Sequence, residues 1–203
     1  IPPNQVVIGL SLLLTFFISS SALSRLFKKQ KASLAEKYSK GDRRDWGQVL
    51  ANGGLGALLA IGYYLPPHHE WLWMAFAGTM AAVNADTWST ELGVLSPIPP
   101  RMITSGHIVE RGTSGGVTLA GTLAALGGAM LIATMAVIFS AGQEWLTDLG
   151  IIILGGLIGA LADSVLGGTV QAIYWCPSCN KETERHPTHT CGSPTSQVRG
   201  WSR

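Results

Sequence analysis

Residues 149–173 read LGIIILGGLIGALADSVLGGTVQAI, with Asp163 the only charged residue. A helix that crosses a bilayer needs ~20 predominantly apolar residues. This run meets that requirement and places a carboxylate inside the membrane. The same test applied along the chain finds four more runs of similar character: Val6–Ser24, Val49–Leu65 and Val117–Ser140 without charge, and Trp71–Thr90 with Asp86 alone. Threaded in order, they sort the charges. Arg25, Lys28, Lys29, Lys31, Lys37, Lys40, Arg43 and Arg44 fall between the first two runs, Arg101 and Arg111 between the third and fourth, and Lys181, Arg185, Arg199 and Arg203 after the fifth. All 14 Lys and Arg are then on one side. The opposite loops, Pro66–Glu70 and Ala141–Asp148, hold Glu70, Glu144 and Asp148 and no Lys or Arg, with His68 and His69 expected to be simply solvated. The positive side is the cytoplasmic side, which puts the N-terminus outside.

The expected fold class is therefore an all-α integral membrane protein of about five transmembrane helices with a short cytoplasmic tail. Residues 1–175 would form the polytopic membrane domain and 176–203 a Cys/His tail. Composition agrees: of 203 residues 47% are hydrophobic, 13% are charged and 25 are Gly, against about 25% charged in an average soluble domain. Small residues let membrane helices approach closely. The basic stretch Arg25–Arg44 has Leu26, Phe27, Leu34 and Tyr38 at roughly helical spacing before Gly41-Asp42 breaks the pattern. Between two spans, that composition suits an amphipathic segment on anionic lipid rather than a nucleic-acid site. The abrupt start at Ile1-Pro2-Pro3, without Met, and the end just past Gly200-Trp201 lead us to expect a fragment of a longer chain.

Four groups of residues carry chemistry. The first is Asn84-Ala85-Asp86-Thr87-Trp88-Ser89-Thr90-Glu91, at the inner end of the third span. It is dense in the oxygen donors that a hard cation such as Mg²⁺ takes together with phosphate oxygens. Asp86 and Glu91 are the expected Mg²⁺ ligands, assisted by Asn84 and Asp163; the alternative is that the acids merely cap the helix or pair with Arg101 or Arg111. The second is Arg111-Gly112-Thr113-Ser114-Gly115-Gly116, just before the fourth span. Glycines permit close approach of a phosphate to backbone N–H groups and a helix N-terminus favours an anion, with Thr113 or Ser114 as the cap and Arg111 as a bidentate partner. There is no Gly-Lys-Ser/Thr, so this is not a Walker loop, and a flexible cap is the plainer alternative.

The third is Asp163, an intramembrane acid and by default a functional one. It could join Asp86 at one metal or pair with Asn52 or Arg111, and Gln171, two turns on, is expected to face the same cleft. The fourth is the tail, where Cys176-Pro177-Ser178-Cys179 is followed by His186, His189 and Cys191. Its spacing fits a closed Cys₃His site for structural Zn²⁺, with His189 as the fourth ligand and His186 as the alternate. Redox use of the C-x-x-C is the rival, but no thioredoxin-like strand–helix context surrounds it.

Asn84-Ala85-Asp86-Thr87-Trp88-Ser89-Thr90-Glu91-Leu92-Gly93, Pro100-Arg101-Met102-Ile103-Thr104, Gly112-Thr113-Ser114-Gly115-Gly116-Val117, Asp163-Ser164 and Cys176-Pro177-Ser178-Cys179 together resemble the transmembrane protein 19 family (domain of unknown function ninety-two). The resemblance covers nearly the whole chain. That family includes the phytyl-phosphate kinase of plants and cyanobacteria. Its members continue past the Gly-Trp with an Asn-Asp segment and another hydrophobic span, so any site residue from that region is missing here. The resemblance implies a membrane lipid kinase that transfers a phosphoryl group from a nucleoside triphosphate, CTP by the family pattern, to an isoprenoid monophosphate such as phytyl phosphate. It implies a prokaryotic inner membrane or a plastid envelope, with the active face cytoplasmic or stromal.

In that reading Asp86, Glu91, Arg111 and Asp163 are catalytic, and Asn84, Thr87, Arg101, Gly112, Thr113, Ser114, Gly115 and Gly116 bind substrate phosphates. The expected partners are the lipid substrate and the nucleotide, with no nucleic acid. The competing class is a small-molecule or lipid transporter or flippase, in which the same polar groups line a path. Nucleotide binding with and without Mg²⁺ separates the two.

Overall fold

The computed structural model describes residues 3–27, 46–67, 69–140, 144–183 and 185–201. Outside them lie His68, residues 141–143 of an external loop, and the basic stretch through Leu34, Tyr38 and Gly41-Asp42 expected on lipid; the side chain of Asn52 is also outside. Among the described residues five helices form: α1 (Pro3–Leu26), α2 (Trp46–Tyr64), α3 (Glu70–Gly93), α4 (Leu119–Ser140) and α5 (Trp145–Thr169). Each contains most of one apolar run. Three of them, at Val6–Leu26, Leu119–Ile138 and Trp145–Thr169, are long and apolar enough to cross a membrane. The α3 helix falls short because it carries the polar stretch from Asn84 to Glu91, and within α2 an apolar helix is described over Gly53–Tyr64.

Two boundaries differ from expectation. The fourth span does not begin at Val117 and is not capped by Thr113 or Ser114. Gly116–Val117 form a strand, β2, antiparallel to β1 (Arg101–Met102). The cap is instead Thr118, whose Oγ1 accepts the Gly121 N–H at 3.0 Å, satisfying one of the orphan donors of a helix start. The fifth helix stops at Thr169, with Val170 as its C-cap. Ile173 already belongs to β3 (Ile173–Cys176), the middle strand of a three-stranded antiparallel sheet with β4 (Lys181–Thr183) and β5 (Ser196–Arg199). The molecule is thus mostly helical, with two small sheets at one end.

Close contacts fix the helix directions. On α3 and α4, Asn84 meets Gly128 and Ser89 meets Gly121, so these two are antiparallel. On α3 and α5, Gly78 meets Gly155 and Ala82 meets Gly159, so these run parallel. On α2 and α3, Thr79 meets Gly56 and Leu72 meets Gly62, again antiparallel. Ser24 of α1 reaches Glu91 near the end of α3. The ends of α1, α3 and α5 therefore gather at one end of the bundle, with the 94–118 loop and the tail.

Small residues make this packing possible. A Cβ on Gly159 would lie 2.5 Å from that of Ala82, and one on Gly156 would lie 2.9 Å from that of Ala129. The interior joins Leu12 to Ala77, Ala81, Ala129, Ile132 and Ile152. Large apolar side chains point outward instead, among them Leu14, Phe17, Leu58, Ile61, Leu154 and Ile158. A soluble monomer rarely shows so extensive an apolar surface; lipid is the solvent that suits it.

Candidate active site and metal centre

A cleft of about 490 Å³ opens between α2, α3 and α5. Its α3 wall is Met74, Ala75, Gly78, Thr79, Ala82, Val83 and Asp86. Alternating steps of one and three residues, a repeat of four, put these on one helix face. Its α5 wall is Ile151, Gly155, Gly159 and Asp163, spaced by fours. Among the described residues, the two carboxylates are the only ionisable groups lining the cleft. They sit at the end where α3 and α5 finish, beside the side that carries the basic loops. Asp86 is half-buried and Asp163 exposed.

The motif around Asp86 is divided between two faces. Glu91 lies about 140° around the helix from Asp86, at 3.6 residues per turn, and does not line the cleft. Its Oε1 accepts from Ser24 Oγ of α1 at 3.1 Å. Asn84, Trp88 and Glu91, at i, i+4 and i+7, share this second face. Asn84 is fully buried; its Nδ2 donates to the Gly128 carbonyl of α4 at 2.8 Å and its Oδ1 accepts from Ser19 Oγ of α1 at 3.1 Å. Trp88 Nε1 donates to Ser19 Oγ at 3.4 Å. Asn84 thus joins three helices and points away from the cleft, unlike the phosphate contact expected of it. Thr87 Oγ1 donates to the Val83 carbonyl within its own helix at 2.8 Å.

The glycine-rich loop reaches the site along α5. Gly167, one turn (~6 Å) beyond Asp163 on the same face, lies against Ser114 Oγ and the Gly115 N–H. Gly115 has φ +81°, and a Cβ there would lie 2.5 Å from Gly168 Cα. Only glycine meets both conditions, so Gly115 is required by loop-to-helix contact whatever else it binds. Gln171, expected to face the cleft, instead accepts a short hydrogen bond from Ser114 Oγ. Gly112 is also left-handed, at φ +84°, and the Thr113 carbonyl accepts the Gly116 N–H at 3.0 Å. The two arginines hold the 94–118 segment: Arg101 Nη1 donates to the Gly106 carbonyl at 2.9 Å and Arg111 Nη2 to that of Pro97 at 3.1 Å.

In the tail, Cys176 ends β3, Cys179 follows in the turn to β4, and His189 and Cys191 come from the segment between β4 and β5. Their ligand atoms all lie within 4.8 Å of one another. The separations are 3.5 Å for Cys176 Sγ to Cys191 Sγ, 3.4 Å for Cys179 Sγ to His189 Nδ1, and 3.3 Å for His189 Nδ1 to Cys191 Sγ. Bonds of about 2.0–2.3 Å in tetrahedral geometry give edges of about 3.5–3.8 Å, so the set fits one four-coordinate ion. His186 is not part of it; its ring stacks on Tyr174 with centroids 4.5 Å apart. The Cys191 thiol is pulled down to about 5, by its hydrogen bond to His189 first and by Ser193 next. Cys179 is pushed up to about 11, chiefly by its hydrogen bond to Cys191 and then by desolvation. A low-pKa sulfur beside a histidine is the donor chemistry of a metal site.

Outward apolar helices and close Gly/Ala packing define an integral membrane protein. The family model described as "Integral membrane protein DUF92" matches residues 4–203. The chain belongs to this family, the one its motifs resemble. It is 37% identical over 193 residues to Protein PGR of Arabidopsis thaliana, covering 84% of this chain and 67% of that one. It is 37% identical over 170 residues to an uncharacterized membrane protein of Methanocaldococcus jannaschii, covering 80% and 65%. Protein VTE6, chloroplastic, of Arabidopsis thaliana is 24% identical over 167 residues, covering 80% and 50%. The chain spans between half and two thirds of the length of these relatives. No solved structure matches.

Proposed function

We propose that this protein is a membrane-embedded lipid kinase that transfers the terminal phosphoryl group of a nucleoside triphosphate to an isoprenoid monophosphate, giving the diphosphate. The observation that carries the reading is the cleft: apolar walls along its length, and Asp86 and Asp163 together at the end that adjoins the glycine-rich loop. The motif resemblance adds phytyl phosphate as the acceptor and CTP as the donor. The helix directions support five spans, with α2 and α3 crossing by packing against their neighbours, and the placement of Lys and Arg in the sequence supports an active face on the cytoplasmic or stromal side.

Two carboxylates and phosphate oxygens form the donor set of Mg²⁺, which when bound neutralises phosphate charge and polarises the bond to be broken. Asp86 and Asp163 would hold that ion, while Glu91 faces α1 and accepts from Ser24. Backbone of Gly112–Gly116 positions the phosphates, and Arg101 and Arg111 supply positive charge to the transferring group. An oxygen of the lipid monophosphate forms the new bond to the γ-phosphorus. The bond from that phosphorus to its bridging oxygen breaks, and the nucleoside diphosphate leaves with the electron pair. The attacking group is already an anion, so no general base is needed; catalysis is positioning and charge neutralisation. The prenyl chain lies in the apolar cleft, which keeps it in the bilayer during reaction. For the tail we propose Zn²⁺ in the Cys176, Cys179, His189 and Cys191 set, a closed site with a structural role.

A panel of prenyl monophosphates against four nucleoside triphosphates with Mg²⁺, read by mass spectrometry of the lipid products, tests the activity. The reading expects a prenyl diphosphate from at least one pairing. No product from any pairing, together with lipid flux in liposomes, would transfer the cleft to a transport role.

A further inference from the structure

Strand β5 brings Arg199 back to the end of α5. Arg199 is in register with Ile173 of β3. Its Nη1 donates to the Gly168 carbonyl at 3.2 Å, and its Nη2 meets Glu182 Oε2 of β4 at 3.5 Å. Gly168 lies in the last turn of α5, where carbonyls lack helical partners and a cation is favourable. The same Gly168 is the residue against which Gly115 packs, with Met102 and Thr104 beside it. One residue is thus held by the tail on one side and by the glycine-rich loop on the other.

A second link runs in parallel. Gly200 has φ +80° and sits so close to Gln171 that a Cβ would lie 2.0 Å from the Gln171 carbonyl oxygen. The Trp201 N–H donates to the Val170 carbonyl at 3.0 Å, and Gln171 is the partner of Ser114. The sheet that carries these contacts buries little: Ile173, Tyr174, Cys176, Thr183 and His189 are its buried side chains. So small a core leaves metal ligation as the main source of its order. Cys176 ends the strand that pairs with β5, and His189 and Cys191 precede β5 in the chain.

We propose that Arg199 is a positioning residue for the Gly112–Gly116 loop: metal in the tail fixes β5, and β5 delivers the guanidinium onto the α5 residue that seats Gly115. The inference deepens the kinase reading, since it concerns how the phosphate side of that site is held. Its test does not use phosphoryl transfer, so failure of either is separable from failure of the other.

Hydrogen exchange is measured by mass spectrometry on the full chain in detergent, zinc-loaded or stripped with a chelator. Cobalt loaded in place of zinc reports the tail through its thiolate absorption. Stripping is expected to speed exchange across residues 112–117 by at least about tenfold while the α3–α4 core stays protected. Arg199→Gln is expected to give the same faster loop with the cobalt absorption intact, and Arg199→Lys, which keeps a cation and a donor, an intermediate rate. Cys191→Ser, which removes one ligand and leaves Arg199 present, is expected to behave like the stripped protein. A loop that exchanges at its original rate in the stripped protein or in Arg199→Gln overturns the proposal. Loss of the cobalt absorption in Arg199→Gln also overturns it, because the arginine would then be holding the tail rather than the loop.

Discussion

The two faces of α3 near its end come from one short stretch, residues 82–91, and differ in what they meet. One face, through Ala82, Val83 and Asp86, borders an open cleft that Asp163 of α5 also lines. The other, through Asn84, Trp88 and Glu91, is joined by hydrogen bonds to α1 and α4. Polar groups in a membrane helix can thus be glue or chemistry within a single turn. What separates them is whether the partner is a neighbouring helix or a space large enough for a ligand.

Substitutions on each face test that division. Asp86→Asn or Asp163→Asn is expected to lower phosphoryl transfer on the order of 10²–10³-fold, the scale of losing one charge-stabilising group, with an unchanged melting midpoint in detergent. Next, Gly159→Leu drives a side chain into Ala82; the expected loss is ~1–3 kcal/mol from overpacking, seen as a lower melting midpoint. Asn84→Ala leaves the Gly128 carbonyl and Ser19 hydroxyl short of a partner, which destabilises by ~1–2 kcal/mol. It should leave turnover per folded molecule nearly intact; a loss of turnover as large as that of Asp86→Asn would merge the two faces again. Smallest of all is Glu91→Gln, which keeps an acceptor for Ser24: stability is expected to change by no more than ~0.5 kcal/mol, with turnover altered only a few-fold.

The helices were legible because lipid imposes a simple rule on long apolar runs, and charge sidedness ordered them. Their ends were less so. Whether Val117 starts a helix depends on Gly116–Val117 finding Arg101–Met102 as a strand partner, a non-local pairing that hydropathy does not register. In the tail, the Cys spacing pointed to a possible metal cluster with His189 preferred over His186; the structure gathers His189 with the three Cys and stacks His186 on Tyr174. In the α3 motif, the density of oxygen donors around Asp86 and Glu91 singled out the whole stretch. The i, i+4, i+7 series of Asn84, Trp88 and Glu91 was equally present in the sequence and marks the packing face. Asp163 as a partner of Asp86 was an open alternative there; the parallel course of α3 and α5, set by Gly78–Gly155 and Ala82–Gly159 contacts, is what brings the two to one cleft.

Manganese stands in for Mg²⁺ with a signal that electron paramagnetic resonance reads directly, so Mn²⁺ titration of the purified protein with nucleotide probes the cleft without relying on turnover. The account predicts one bound ion in the unmodified protein and in Glu91→Gln, and its loss in both Asp86→Asn and Asp163→Asn. An ion kept by Asp163→Asn but lost from Glu91→Gln would contradict it.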